Sequence, residues 1–127
     1  MSIKNKFFSV EEANGLIPQL LIDIPRIQIL MKSLTDEYLD VDKARKKAQL
    51  NGGSMQGADY LNCVLKINYL TEGLESKGCI LKGIKHGLVD FPSLRDGKEV
   101  YLCWKNPEQR IEYWHDIQSG FAGRQRI

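Results

Sequence analysis

Residues 8–41 read FSVEEANGLIPQLLIDIPRIQILMKSLTDEYLDV, and the spacing of their apolar positions decides the N-terminal half of the fold. Ala13, Ile17, Leu20, Ile24, Ile27, Met31, Leu34, Tyr38 and Val41 recur in alternating steps of four and three. That is the heptad rhythm of a coiled-coil-like helix with one buried seam, and no strand period reproduces it. The start is written just ahead of the seam: the Ser9 hydroxyl accepts from the Glu12 amide while the Glu12 carboxylate accepts from the Ser9 amide, a capping box. Pro18 and Pro25 each lack an amide donor and crowd the carbonyl four residues earlier. They predict a kink or short break between Gly15 and Ile24, with a short first helix running into a long one.

The run ends in KARKKAQLNGG (43–53), where cations suit the negative end of a helix dipole and Asn51-Gly52-Gly53 supplies a turn. A second helix is predicted over Met55–Ser76, with Tyr60, Val64, Ile67 and Leu74 on one face and Leu61, Leu65 and Leu70 widening it. Two helices joined by a Gly-rich loop make a long antiparallel hairpin over residues 9–77. After Gly78 the period changes to alternation. Cys79–Ile84, Leu88–Phe91, Val100–Trp104 and Arg110–His115 read as strands, Pro92 limits pairing, and Asp96-Gly97 marks a turn. With Asn106–Gln109 as the connecting loop, Trp104 faces Ile111, Cys103 faces Glu112 and Val100 faces His115. Cys103 and His115 then point to opposite faces. The predicted fold is α+β, one domain over residues 1–127: the helical hairpin, then a small antiparallel β-sheet module (78–127) with a C-terminal tail.

At 127 residues, with 43% hydrophobic and 27% charged side chains, the composition is that of a single soluble domain. A net charge of +2, with cations interspersed among carboxylates, gives no basic stripe for nucleic acid. No apolar run is long enough for a signal peptide or a membrane span, so a cytoplasmic location is expected. Cys63, Cys79 and Cys103 form no CxxC pair and sit in apolar patterns, which suits reduced, buried thiols. A hairpin of this length leaves more apolar surface than a tail of this size covers, and a two-fold homodimer is the expected remedy.

Three stretches carry a family resemblance: FFSVEEANGLIPQL (7–20), GLVDFPSLRDGKEVYLCW (87–104) and IEYWHDIQSGFAGRQRI (111–127). The first resembles the FTxEEANxLLPxL signature, and the other two the C-terminal block, of an uncharacterised, mainly bacterial family known as domain of unknown function 2203. The resemblance covers both ends of the chain. After the Trp that family usually reads Gly-Glu, where this chain has Pro107-Glu108 and so is expected to form a longer loop. The resemblance implies no activity.

His115 is the residue best suited to chemistry, since imidazole ligates metals and moves protons near neutral pH. With Asp90 it suits a divalent metal, and Cys103 joins if the metal is zinc. The predicted strand faces separate Cys103 from His115 and favour a buried, purely structural histidine. A second candidate is an anion pocket, with Arg95, Arg124 and Arg126 beside Gly97, Gly120 and Gly123, and with Trp114 and Glu112 as further ligand contacts. The bland reading pairs Arg95 and Arg124 with Asp90, Asp96 or Asp116. His86 reads as a solvated loop residue, and Trp104 and Trp114 as sheet core. No nucleophile elbow, P-loop or dinucleotide fingerprint occurs.

Two functions follow as expectations. The preferred one is a non-enzymatic cytosolic homo-oligomer, assembled through the hairpin, whose C-terminal module binds a small anionic ligand or a protein partner. The alternative is a small metal-dependent, hydrolase-like enzyme with Asp90 and His115 holding a divalent ion such as zinc, Glu112 or Asp116 as base, and Arg95 or Arg124 orienting an anionic substrate.

Overall fold

The capping box forms as the sequence predicts. Ser9 Oγ accepts from the Glu12 amide and Glu12 Oε1 accepts from the Ser9 amide, each at 3.0 Å. The hydrogen bonds from Ser9, with Lys6 nearby, hold the Glu12 carboxyl below its ordinary value. In the computed structural model, residues 6–51 and 57–127 are described, with side chains over 6–36 and 58–127. From this cap, α1 runs Val10–Asn51 without interruption, so the predicted break between Gly15 and Ile24 does not occur. At ~1.5 Å per residue the helix is about 63 Å long.

Burial explains why the prolines are tolerated. Ala13, Ile17, Leu20, Ile24 and Ile27 are all at most 2% exposed, and each large one contributes about 1.5–3 kcal/mol. Together they outweigh about 3 kcal/mol for each proline. Both rings also lie off that stripe, Pro18 exposed and Pro25 half-buried. This part of the seam is therefore filled within one chain. Met31, further along, is exposed, and Tyr38 and Val41 lie outside the described side chains, as does the Gly52-Gly53 turn outside the described residues.

Helix α2 spans Gly57–Glu75 and returns along α1: Cys63 Sγ donates to the Leu30 carbonyl at 3.3 Å, while Leu74 joins the cluster formed by Ala13 and Ile17. The pair is antiparallel. Leu74 is buried and Ile67 and Leu70 pack against the core, but Tyr60, Leu61 and Leu65 of the predicted face are exposed. Among the described residues no helix is long and apolar enough to cross a membrane.

Five strands follow as an antiparallel meander in chain order: β1 Ile80–Gly83, β2 Leu88–Arg95, β3 Lys98–Lys105, β4 Tyr113–Asp116 and β5 Gln125–Arg126. Asp96 and Gly97, both at positive φ (53° and 77°), make the two-residue turn whose twist matches the β2–β3 hairpin. Strand β2 continues through Pro92, contrary to the expected limit. The Pro92 carbonyl accepts from the Phe8 amide at 2.7 Å, so the edge that lacks a donor faces the N-terminal segment rather than β3. Ser93 Oγ donates to the Phe8 carbonyl at 2.6 Å, completing the clasp.

One sheet face packs on the helices. Val89, Phe91, Leu102 and Trp104 are buried with the α1 stripe, Leu74, Cys79 and Ile111. A side-chain tie crosses this layer, the Ile111 amide donating to Asn14 Oδ1 at 2.6 Å.

Removing the cap by Ser9→Ala is expected to cost about 1 kcal/mol, read as a lower denaturation midpoint in urea with an unchanged slope. A second expectation concerns alkaline pH. Burial pushes the Cys79 thiol, which donates to the Leu74 carbonyl at 3.1 Å, up to about 11 from an ordinary 9.0. Between these values the unfolded chain has lost a proton that the native one keeps, so stability falls as pH rises. Melting temperature should decline across pH 9–11, and less steeply in Cys79→Ala.

Candidate metal centre

Alternation along β2, β3 and β4 sorts their side chains onto two faces, and the register decides which residues meet. The pairs are Asp90 with Cys103, Tyr101 with His115, Leu102 with Trp114 and Val100 with Asp116. The sequence-based pairing placed Val100 opposite His115, one residue out. A slip of one residue exchanges the faces of a whole strand. Cys103 and His115 therefore share a face, together with Asp90, and this is the face turned away from the helices. The expectation that they point apart is corrected by this register.

The three side chains are buried, at 3%, 1% and 2% exposure for Asp90, Cys103 and His115. One potential ligand atom from each lies within 4.8 Å of the other two. His115 Nε2 lies 3.2 and 3.1 Å from the two Asp90 carboxylate oxygens, and Nδ1 lies 2.7 Å from the Asp116 carbonyl oxygen. A carbonyl only accepts, so Nδ1 carries the hydrogen and donates. Nε2 then presents either a second hydrogen or a lone pair to the carboxylate. A lone pair facing a carboxylate needs a positive centre between them, which a proton or a metal ion supplies equally well. An imidazole whose distal N–H is fixed by a backbone carbonyl is the usual orientation of a metal ligand.

Tetrahedral coordination with Zn–N and Zn–O bonds of about 2.0–2.1 Å separates ligand atoms by about 3.3 Å. The His115–Asp90 pair is already at that spacing, and the Cys103 sulfur lies within 4.8 Å of both. Burial pushes the Cys103 thiol up to about 11, with the Asp90 charge adding to it and Arg124 opposing it. The thiol is therefore protonated at neutral pH, and a metal binding there would release that proton.

A cavity of about 110 Å³ opens beside the three residues, bounded by Lys82, Leu88, Ile117, Gly120 and Phe121. The last three come from the segment between β4 and β5, which folds over this face. Arg124 holds that segment down. Its Nη2 donates to Glu108 Oε1 at 2.7 Å and to the Cys103 carbonyl at 3.2 Å, and its guanidinium stacks 4.0 Å from the Tyr113 ring centre and 4.6 Å from that of Phe121.

The arginines considered for an anion pocket do not converge. Arg95 stacks on Trp114 at 4.7 Å on the helix-facing side, Arg124 is bound to Glu108, and Arg126 reaches Glu112 at 3.3 Å. Glu112 also pairs with Arg110 and Asp116 with Lys98, at 3.5 and 3.4 Å, and neither carboxylate lines the cavity. Trp104 is core and Trp114 is half-buried against it; His86 is exposed.

Sequence reasoning passed over Glu108. Its carboxylate also accepts from the Lys105 amide at 2.7 Å and its carbonyl accepts from Trp104 Nε1 at 2.7 Å, so it shapes the connection from β3 to β4. Its presence at the altered Pro107-Glu108 position was the available signal. Gly87 is equally specific. It sits at φ 67°, and a Cβ there would come within 2.8 Å of Asn106 Cβ, the residue whose amide donates to the Gly87 carbonyl.

Comparison with curated proteins found no match, and neither did comparison with solved structures. A family model spans nearly the whole chain, across both the helical pair and the sheet that carries Asp90, Cys103 and His115. Its match over residues 6–127 means that the chain belongs to the family described as Uncharacterized conserved protein (DUF2203).

Proposed function

We propose that the protein binds one divalent metal ion of the zinc class through Asp90, Cys103 and His115 and presents its remaining coordination position to a small ligand. The observation that carries this reading is the set of three buried donors within 4.8 Å of one another, with the His115 Nδ1–H committed to a backbone carbonyl. A carboxylate, a thiolate and an imidazole suit zinc better than magnesium or calcium, which take oxygen ligands. Three protein ligands and one open position are the pattern of sites that exchange a ligand, whereas a purely structural zinc has four protein ligands. Hydrolysis is the weaker form of this reading, because the two carboxylates considered as general base are ion-paired outside the cavity.

A second reading, self-association through the helices, rests on a separate observation. Ile22, Ile29, Leu61, Leu65 and Tyr69 are each more than half exposed, and a groove of about 640 Å³ lined by Leu30, Leu65 and Leu70 runs between α1 and α2. Arg26 and Lys66 border it, and Asp23 and Glu72 lie further along the same helices. A second copy laid antiparallel about a two-fold axis would cover this apolar surface and complete a four-helix arrangement.

Untagged protein prepared without chelator, or reconstituted with zinc, should contain close to one equivalent of metal by elemental mass spectrometry. Asp90→Asn, Cys103→Ser and His115→Ala should each lose at least ~10-fold in affinity while keeping the far-ultraviolet helix signal. A folded protein that takes up no metal, or variants that bind as the parent does, would defeat the proposal. For the second reading, light scattering should give twice the 14.5 kDa chain mass and a monomer for Leu65→Glu/Tyr69→Glu; a monomeric parent sinks it.

A further inference from the structure

We infer that the cavity beside Asp90, Cys103 and His115 takes a small monoanion of carboxylate or bicarbonate size, bound between the metal and Lys82. The inference rests on the metal-binding proposal and adds the class of ligand. Size comes first: the cavity of about 110 Å³ beside the three residues is several times what one water needs, and it accommodates a ligand of a few heavy atoms. Charge comes second. A divalent ion with a carboxylate, a thiolate and a neutral imidazole sums to zero, and Lys82, the one cation among the lining residues, leaves the pocket at plus one. Leu88 and the partly exposed Ile117 and Phe121 supply the rest of the wall, and one negative charge brings the site to neutrality where none or two would not.

Direction comes third. Asp90, Cys103 and His115 rise from neighbouring positions on one sheet face, so the coordination position they leave open points off the sheet, toward the cavity and the segment over it. Lys82 approaches from the β1 side, with Nζ 5.1 Å from the centre of the Tyr101 ring, and Tyr101 is the cross-strand partner of His115. Lys82 thus lines the cavity from the exposed side without competing for the metal, since a protonated lysine donates and does not ligate.

The test uses the full chain loaded with cobalt(II), whose visible spectrum reports both thiolate ligation and the identity of the fourth ligand. Acetate, bicarbonate and azide should each shift the ligand-field bands saturably, and Lys82→Met, which keeps the stem over Tyr101 and removes the charge, should weaken that binding at least tenfold with cobalt loading and the thiolate band unchanged. Lys82→Arg should restore most of it. Absence of a thiolate–cobalt band would defeat the metal site itself. Cobalt bound through thiolate, with bands that ignore all three anions or respond equally in Lys82→Met, would overturn the anion inference and leave the metal site standing.

Discussion

The meeting of His115 with Asp90 and Cys103 depends on the register of β3 against β4, and Glu108 shapes the connection that sets it. A simple loop across Asn106–Gln109 would pair Trp104 with Ile111. Instead the Glu108 carboxylate caps the end of β3 through the Lys105 amide, its carbonyl takes the Trp104 indole hydrogen, and Arg124 closes on it from the other side. The Ile111 amide, which a longer hairpin would use in the ladder, is spent on Asn14. Pairing resumes only at Tyr113, opposite Cys103. Because side chains alternate with a period of two, that one-residue difference turns His115 to the same side as Cys103 and Asp90.

The parts legible in the sequence are those governed by local chemistry. The Ser9–Glu12 cap, the helical seam from Ala13 to Ile27, the Asp96-Gly97 turn and the change of period at Gly78 all follow from residues within a few positions of one another. The parts that escaped it are tertiary. Pro18 and Pro25 argue locally for a break, and the burial of the stripe between and around them overrides the argument. The identity of the residue facing His115 depends on hydrogen bonds donated by Trp104 and Arg124 and accepted by Asn14 that no short window contains. Asp90, His115 and Cys103 were recognisable as candidates by chemical type; that Cys103 lies on the same face as the other two was not, because the naive turn length gave the wrong parity.

A carboxylate, an imidazole and a thiol buried on the face that carries no helix are costly to keep for stability alone. A set of apolar side chains there would pack under the β4–β5 segment with no desolvation penalty, and buried ion pairs seldom out-stabilise such replacements. The helix-facing side shows what this chain does when only packing matters: Val89, Phe91, Leu102 and Trp104 are uniformly apolar. Sequences depart from such local rules mainly at functional or strained sites.

The two faces also differ in how far apart in the chain their partners lie. Asp90 and His115 are 25 residues apart, joined through consecutive antiparallel strands, whereas the ties of the helical layer, Phe8 to Ser93 and Asn14 to Ile111, span 85 and 97 residues. Closing the longer loops costs more chain entropy and comes with non-local ordering. The polar cluster can therefore gather by successive hairpin closure before α1 docks, so that an ion captured early would act as a nucleus on one side of the sheet while the hydrophobic layer is still assembling on the other.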